Sequence, residues 1–106
     1  MIDYIPPTTA DLARLKTDLD CTGEQMAELA SIGGGHQWRK YTGGAAPRKV
    51  SIHMLFFIAA RLALSPEALR LVGYKMREMG AQIDPEALAS FEGQNNPAGS
   101  ARRSQL

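Results

Sequence analysis

Five places in this chain carry the chemistry that starts an α-helix, and together they divide it into segments that only a small helical bundle can use. Thr22-Gly23-Glu24-Gln25 has the order of a capping box, in which the threonine hydroxyl accepts from the amide three residues on and the glutamine reaches back. Ser65-Pro66-Glu67 places a serine cap, a proline at the first helical position and a glutamate in the first turn, and Asp84-Pro85-Glu86 repeats that logic. Thr8 or Thr9, and later Ser51, offer hydroxyl caps ahead of apolar periodic stretches.

The stretches between these starts have helical spacing. Leu12, Leu15 and Leu19 predict a first helix at about 10–20, and Met26, Leu29 and Ala30 a second at about 23–30. The third is predicted at about 35–42. Residues 52–63 form a fourth helix whose apolar side chains nearly encircle it, which predicts the most buried element. The fifth runs to about Met79, with Leu69, Val72, Met76 and Met79 as its inner stripe. A last short helix at about 85–92 carries Leu88 and Phe91. Ahead of them Ile2, Tyr4 and Ile5, followed by Pro6 and Pro7, form an extended arm, residues 1–7. Residues 93–106 have almost nothing to bury and predict a disordered tail in which Arg102 and Arg103 are solvated. Alanine and leucine dominate the apolar set and β-branched residues are sparse, so the fold class expected is all-α, five to six helices about one core.

A net charge of +1 is uninformative, but its distribution is not. Residues 1–28 hold six acids against Arg14 and Lys16. From Leu29 to Pro66 there is no acid, while Arg39, Lys40, Arg48, Lys49 and Arg61 are all basic. Such segregation predicts one electropositive surface.

Other chemistries find little footing. Cys21 is the only cysteine, which excludes an intrachain disulfide and a cysteine-based zinc set, and is expected to be a small buried side chain. His53 has no second histidine at ligand spacing, so it is expected at the surface or near the cap of its helix, and no metal is expected. Gly33 to Gly35 lack the preceding strand and following lysine of a nucleotide cradle. No clustered nucleophile, base or carboxylates suggest an enzyme, a cofactor or a small-molecule substrate. The longest apolar run, Met54 to Ala60, is too short to span a membrane, and a cytoplasmic, nucleoid-associated protein is expected.

The most distinctive stretch is Ile32-Gly-Gly-Gly-His-Gln-Trp-Arg-Lys-Tyr-Thr-Gly-Gly44. On a helical wheel Trp38, Tyr41 and Thr42 share one side, whereas His36 and Lys40 lie opposite, flanked by Gln37 and Arg39. The first side is expected to bury and Gly43-Gly44 to end the helix. His36, Gln37, Arg39 and Lys40 are then donors suited to base edges: arginine or lysine to guanine, glutamine to adenine. Arg48, Lys49, Ser51 and the amides that open the fourth helix are candidates for phosphate.

The order of Thr22-Gly-Glu-Gln-Met-Ala-Glu-Leu-Ala, Trp-Arg-Lys-Tyr-Thr-Gly-Gly, a basic loop and the starts at Ser51 and Ser65-Pro66 resembles the λ-repressor-like, or Xre-type, helix-turn-helix family. The resemblance covers about residues 8–80. It implies a DNA-binding domain there, with Ala27 allowing close helix packing and Leu29, Ile32, Trp38 and Tyr41 as the core of the motif. It also implies phosphate contacts from Thr22, Gln25 and the Gly35 amide. The function implied is a sequence-specific regulator of double-stranded DNA, a repressor, acting as a homodimer on a palindromic operator, with residues 81–92 and the fifth helix available for dimerisation. The family often has a glutamine where this chain has Gly23, and its recognition helix often begins with polar residues where this chain has glycines. Those departures keep open a second expectation, an antitoxin-like or phage accessory interaction module that retains the fold without specific DNA binding.

Overall fold

The computed structural model describes residues 1–91, which form six helices: α1 Thr9–Asp18, α2 Gly23–Ala30, α3 Gly35–Thr42, α4 Ile52–Ala63, α5 Pro66–Glu78 and α6 Pro85–Ala89. No strand occurs among the described residues, as the all-helical expectation required. The tail expected at 93–106, with Arg102 and Arg103, lies outside them.

The start signals act as their chemistry suggests. Thr8, not Thr9, caps α1: its hydroxyl accepts from the Asp11 amide at 3.1 Å while the Thr8 amide donates to the Asp11 carboxylate at 2.9 Å. Those bonds hold the Asp11 carboxyl below the usual carboxylate range, and they start the helix one residue earlier than expected. Thr22 and Gln25 make the reciprocal pair at α2, at 3.1 and 2.9 Å. The Ser51 and Ser65 hydroxyls accept from Met54 and Ala68, and the Asp84 carboxylate from Glu86. Each such cap stabilises its helix by about 1 kcal/mol.

The main core joins α1 to α4: Leu12, Leu19, Cys21, Met26, Ala27, Leu29, Trp38, Val50 and Ile58 are buried together, with Phe91 reaching in from beyond α6. α2 packs chiefly on α3 and also on α4, and α1 also packs on α3. A smaller cluster joins α5 to α6 through Leu69, Leu88 and Ala89, with Phe57, Leu64, Met76 and Ile83 half-buried around it.

Arg61 of α4 links the two clusters. It is only 5% exposed. Its guanidinium donates to the Glu28 and Leu29 carbonyls at the end of α2, at 2.8 and 3.0 Å, and to the Leu88 and Ala87 carbonyls of α6, at 3.2 and 3.3 Å. The rings of Phe57 and Phe91 both lie 5.5 Å from it. The last carbonyls of a helix lack intrahelical partners and carry the negative end of its dipole, so one cation satisfies two helix ends at once. Arg61 is therefore removed from the electropositive surface to which its sequence position had assigned it.

Three other expectations are corrected. α4 is not the most buried element: only Ile58 and Arg61 are buried along it, and Phe56 is exposed. The inner stripe of α5 is Leu69, Gly73 and Met76, while Val72 and Met79 face solvent, because α6 lies along the first set. A Cβ at Gly73 would stand 2.7 Å from Pro85 Cα, so glycine is what lets the helices approach so closely. Finally, α6 ends at Ala89, and Leu88 and Phe91, expected at a dimer surface, are buried within the protomer. Residues 81–91 thus complete the same packed unit as residues 8–80. A two-pronged ion pair between Arg70 and Glu86, at 2.8 and 3.0 Å, closes the outer edge of α5 and α6.

Candidate nucleic-acid interface

Trp38 fixes the orientation of α3. Its side chain is 1% exposed in the main core, and Ile32 and half-buried Tyr41 pack against the same cluster with Ala27 and Leu29. A fully buried side chain of this kind contributes about 3 kcal/mol. Among the described residues its indole N–H has no hydrogen-bond partner, so the anchor is made by packing alone. With that face committed, His36 and Arg39 are exposed and Gln37 and Lys40 half-exposed, as the wheel predicts, but Thr42, expected to bury beside Trp38 and Tyr41, is half-exposed and lines the outer groove.

The loop after α3 adds to this outer face. Gly43 is extended and Gly44, with φ of +82°, makes the reversal, so the left-handed residue is one later than the helix end itself. The Arg48 amide then donates to the Lys40 carbonyl at 2.7 Å, which ties the loop back onto the last turn of α3. The result is an open groove of about 530 Å³ bordered by His36, Arg39, Lys40 and Arg48, with Thr42 to Ala46 as its floor and rim. None of its lining residues is acidic. Among the described residues Arg39, Lys40, Arg48 and Lys49 form no ion pair, whereas Arg14, Arg70 and Lys75 each do. Arg48 is also shared with a second, smaller cleft of about 260 Å³, where Lys49 faces Thr8, Thr9 and the proline arm. The arm is held by the Tyr4 hydroxyl, which donates to the Val50 carbonyl at 2.7 Å, while Ile2 and Ile5 stay exposed.

The N-terminal end of α3 is built differently from what its sequence suggests. The Glu24 carboxylate, from the first turn of α2, accepts from the Gly35 amide at 2.7 Å. Gly34, the cap residue, has no side chain to do so and holds φ at +108°, a conformation that favours glycine. Gly35 is buried, and a Cβ there would lie 2.9 Å from the Glu24 carboxylate and 3.2 Å from the Glu24 backbone nitrogen. Gly34 and Gly35 are thus what allow α3 to start hard against α2, whereas a side chain at Gly33 would meet only Gln37 of α3 itself. The consequence is a correction: the Gly35 amide is occupied by a protein carboxylate, and is not available to a phosphate.

The other residues expected to meet phosphate fall into two groups. Thr22 and Gln25 stand at the α2 start, close to the α3 start, with the Thr22 oxygen and the Gln25 carbonyl committed to the capping box. Ser51 likewise accepts from Met54. Arg48 and Lys49 are exposed and uncommitted to any carboxylate among the described residues. Sequence reasoning missed Glu24 and the burial of Arg61. For Glu24 no local pattern signals a contact eleven residues away. For Arg61 the signal existed: it lies three positions after Ile58 and four after Phe57, on the inward face of α4.

No helix among the described residues is long and apolar enough to cross a membrane. No family model, curated protein or solved structure matches this chain.

Proposed function

We propose that this protein is a sequence-specific double-stranded DNA-binding regulator of the λ-repressor-like helix-turn-helix type, acting as a homodimer, with α2 as the buttress and α3 in the major groove. The observation that carries it is the juxtaposition of His36, Arg39, Lys40 and Arg48 around one acid-free groove on the outer side of a helix whose other side is anchored by Trp38. Arg39 and Lys40 supply donors for guanine edges, with His36 and Gln37 beside them. Arg48 and Lys49, held next to the last turn of α3, meet the flanking phosphates and fix the register of the helix on the duplex. Occupying an operator in this way blocks a promoter, so repression is the expected output. One such module buries too little to select a site against a genome, and two of them on half-sites about 34 Å apart supply the specificity.

A second reading, a protein-interaction module with the same fold, is favoured by one observation, the Glu24 carboxylate at the start of α3 where an incoming phosphate would be repelled. Selection of bound duplexes from a random pool separates the two. The DNA-binding reading expects a recurrent, two-fold symmetric sequence, whereas recovery of no enriched sequence supports the interaction module.

A further inference from the structure

The side chain held at the start of α3 does not come from α3. Gly33 to Gly35 supply none, and the Glu24 carboxylate of α2 stands in the gap, its Oε1 2.9 Å from where a Cβ at position 35 would be. Oε1 accepts from the Gly35 amide at 2.7 Å. Among the described residues Oε2 accepts no hydrogen bond and the carboxylate forms no ion pair, although Glu24 is exposed. Gly34 leaves both oxygens uncovered, since a Cβ there would lie 3.6 Å from each. Arg39 follows Gly35 by four residues, so the carboxylate heads the row in which Arg39 lies, one turn or about 5.4 Å before it.

We propose that Glu24 is a base-reading residue: Oε2 accepts from the N4 amino group of a cytosine in the major groove, beside the base pair that Arg39 reads. The inference rests on the DNA-binding reading and names one contact of that interface. A carboxylate only accepts, so it is repelled by phosphates and by the acceptor edges of guanine, N7 and O6, and of thymine, O4. The donors in the groove are the amino groups of cytosine and adenine. Adenine sets the acceptor N7 beside its amino group, which leaves cytosine as the best partner. The bond to Gly35 already fixes the carboxylate, so little side-chain freedom remains to be lost on contact. With no side chain at position 34, a base edge can approach both oxygens. The charge that turns a phosphate away is thereby selective: it is unfavourable wherever an acceptor faces it and is offset at a cytosine.

The test is selection of bound duplexes from a random pool with the full chain, wild type and Glu24→Gln. The glutamine keeps an oxygen for the Gly35 amide and turns the other acceptor into a donor, and circular dichroism checks that the variant is folded. The wild-type pool should hold a cytosine at one position of each half-site. Glu24→Gln should recover the same site elsewhere, with the preference at that position passing to guanine or thymine, whose edges accept. A duplex with pyrimidin-2-one in place of the cytosine lacks the amino group but keeps the paired guanine. It should bind the wild type about tenfold more weakly and Glu24→Gln within about twofold of the parent duplex. The wild-type half of that comparison needs no variant, so it decides the question even where the glutamine chain fails to fold. If Glu24 only caps α3 and repels phosphate, Glu24→Gln tightens every duplex alike and shifts no base. That outcome, a selected site without the cytosine, or a wild type indifferent to the missing amino group would overturn the proposal and leave the DNA-binding reading standing. A wild type that selects no sequence would overturn both.

Discussion

The carboxylate of Glu24 caps the helix that Gly35 begins: across a 2.7 Å hydrogen bond, the first turn of α2 supplies the acceptor that the glycine at the α3 cap position lacks. That bond ties the start of α3 to the first turn of α2, the support a reading helix needs of its buttress. Glu24→Ala should cost about 1 kcal/mol, the usual worth of a cap. Gly35→Ala should cost more, about 1–3 kcal/mol, since its methyl meets both the carboxylate and the α2 backbone. In the double variant the side-chain clash is gone but the 3.2 Å approach to the Glu24 nitrogen remains, so urea unfolding should show a loss smaller than the sum.

Arg61 is the residue on which α2, α4 and α6 converge. Arg61→Leu preserves an apolar stem but leaves the Glu28, Leu29, Ala87 and Leu88 carbonyls without its donors. The expected loss is about 3 kcal/mol, measured as a shift in the urea midpoint at unchanged slope. Arg61→Lys should recover little of it, because one ammonium cannot span both helix ends as the planar fork does.

Trp38 makes a sharper demand on the packing account than a truncation alone. Trp38→Ala should cost about 3–5 kcal/mol. Trp38→Phe removes the N–H that is buried without a partner, so it should cost no more than about 1.5 kcal/mol despite the loss of volume. A phenylalanine variant as unstable as the alanine one would mean that the indole N–H is bonded after all.

Glu86 gives the α5–α6 edge a pH dependence. The Arg70 hydrogen bond holds its carboxyl below the ordinary glutamate range. A lowered carboxylate pKa stabilises the fold at neutral pH, and that contribution is lost as pH falls through the lowered value. The difference in thermal midpoint between wild type and Glu86→Gln should therefore be constant above the ordinary glutamate pKa and close up below it.

Much of the fold was legible because helix starts are local chemistry. Thr22 to Gln25, Ser51, Ser65-Pro66 and Asp84-Pro85 announce their helices, and the wheel of α3 separates Trp38 from Lys40 without reference to anything distant. What was not legible depends on contacts far apart in sequence. α6 turns back onto Gly73 and takes Leu88 and Phe91 inside, which exposes Val72 and Met79 on the far side of α5. Arg61 reads as one more cation of a basic segment until two helix ends are seen to meet at it. The glycines at 34 and 35 stand where the family the chain resembles often carries polar residues, and what they serve is the approach of α3 to Glu24 of α2, a contact eleven residues away.

The central claim is that the groove bordered by Arg39, Lys40 and Arg48 holds duplex DNA, and salt dependence with substitution tests it most directly. The affinity of the wild type for a selected duplex should fall linearly with salt on logarithmic axes. Arg48→Ala should flatten that slope by about one while leaving sequence preference intact. Arg39→Ala should instead relax preference at one base pair, costing roughly 1–3 kcal/mol there. A folded chain that binds no duplex at low salt, or one whose binding is unchanged when Arg39, Lys40 and Arg48 are all alanine, would contradict it.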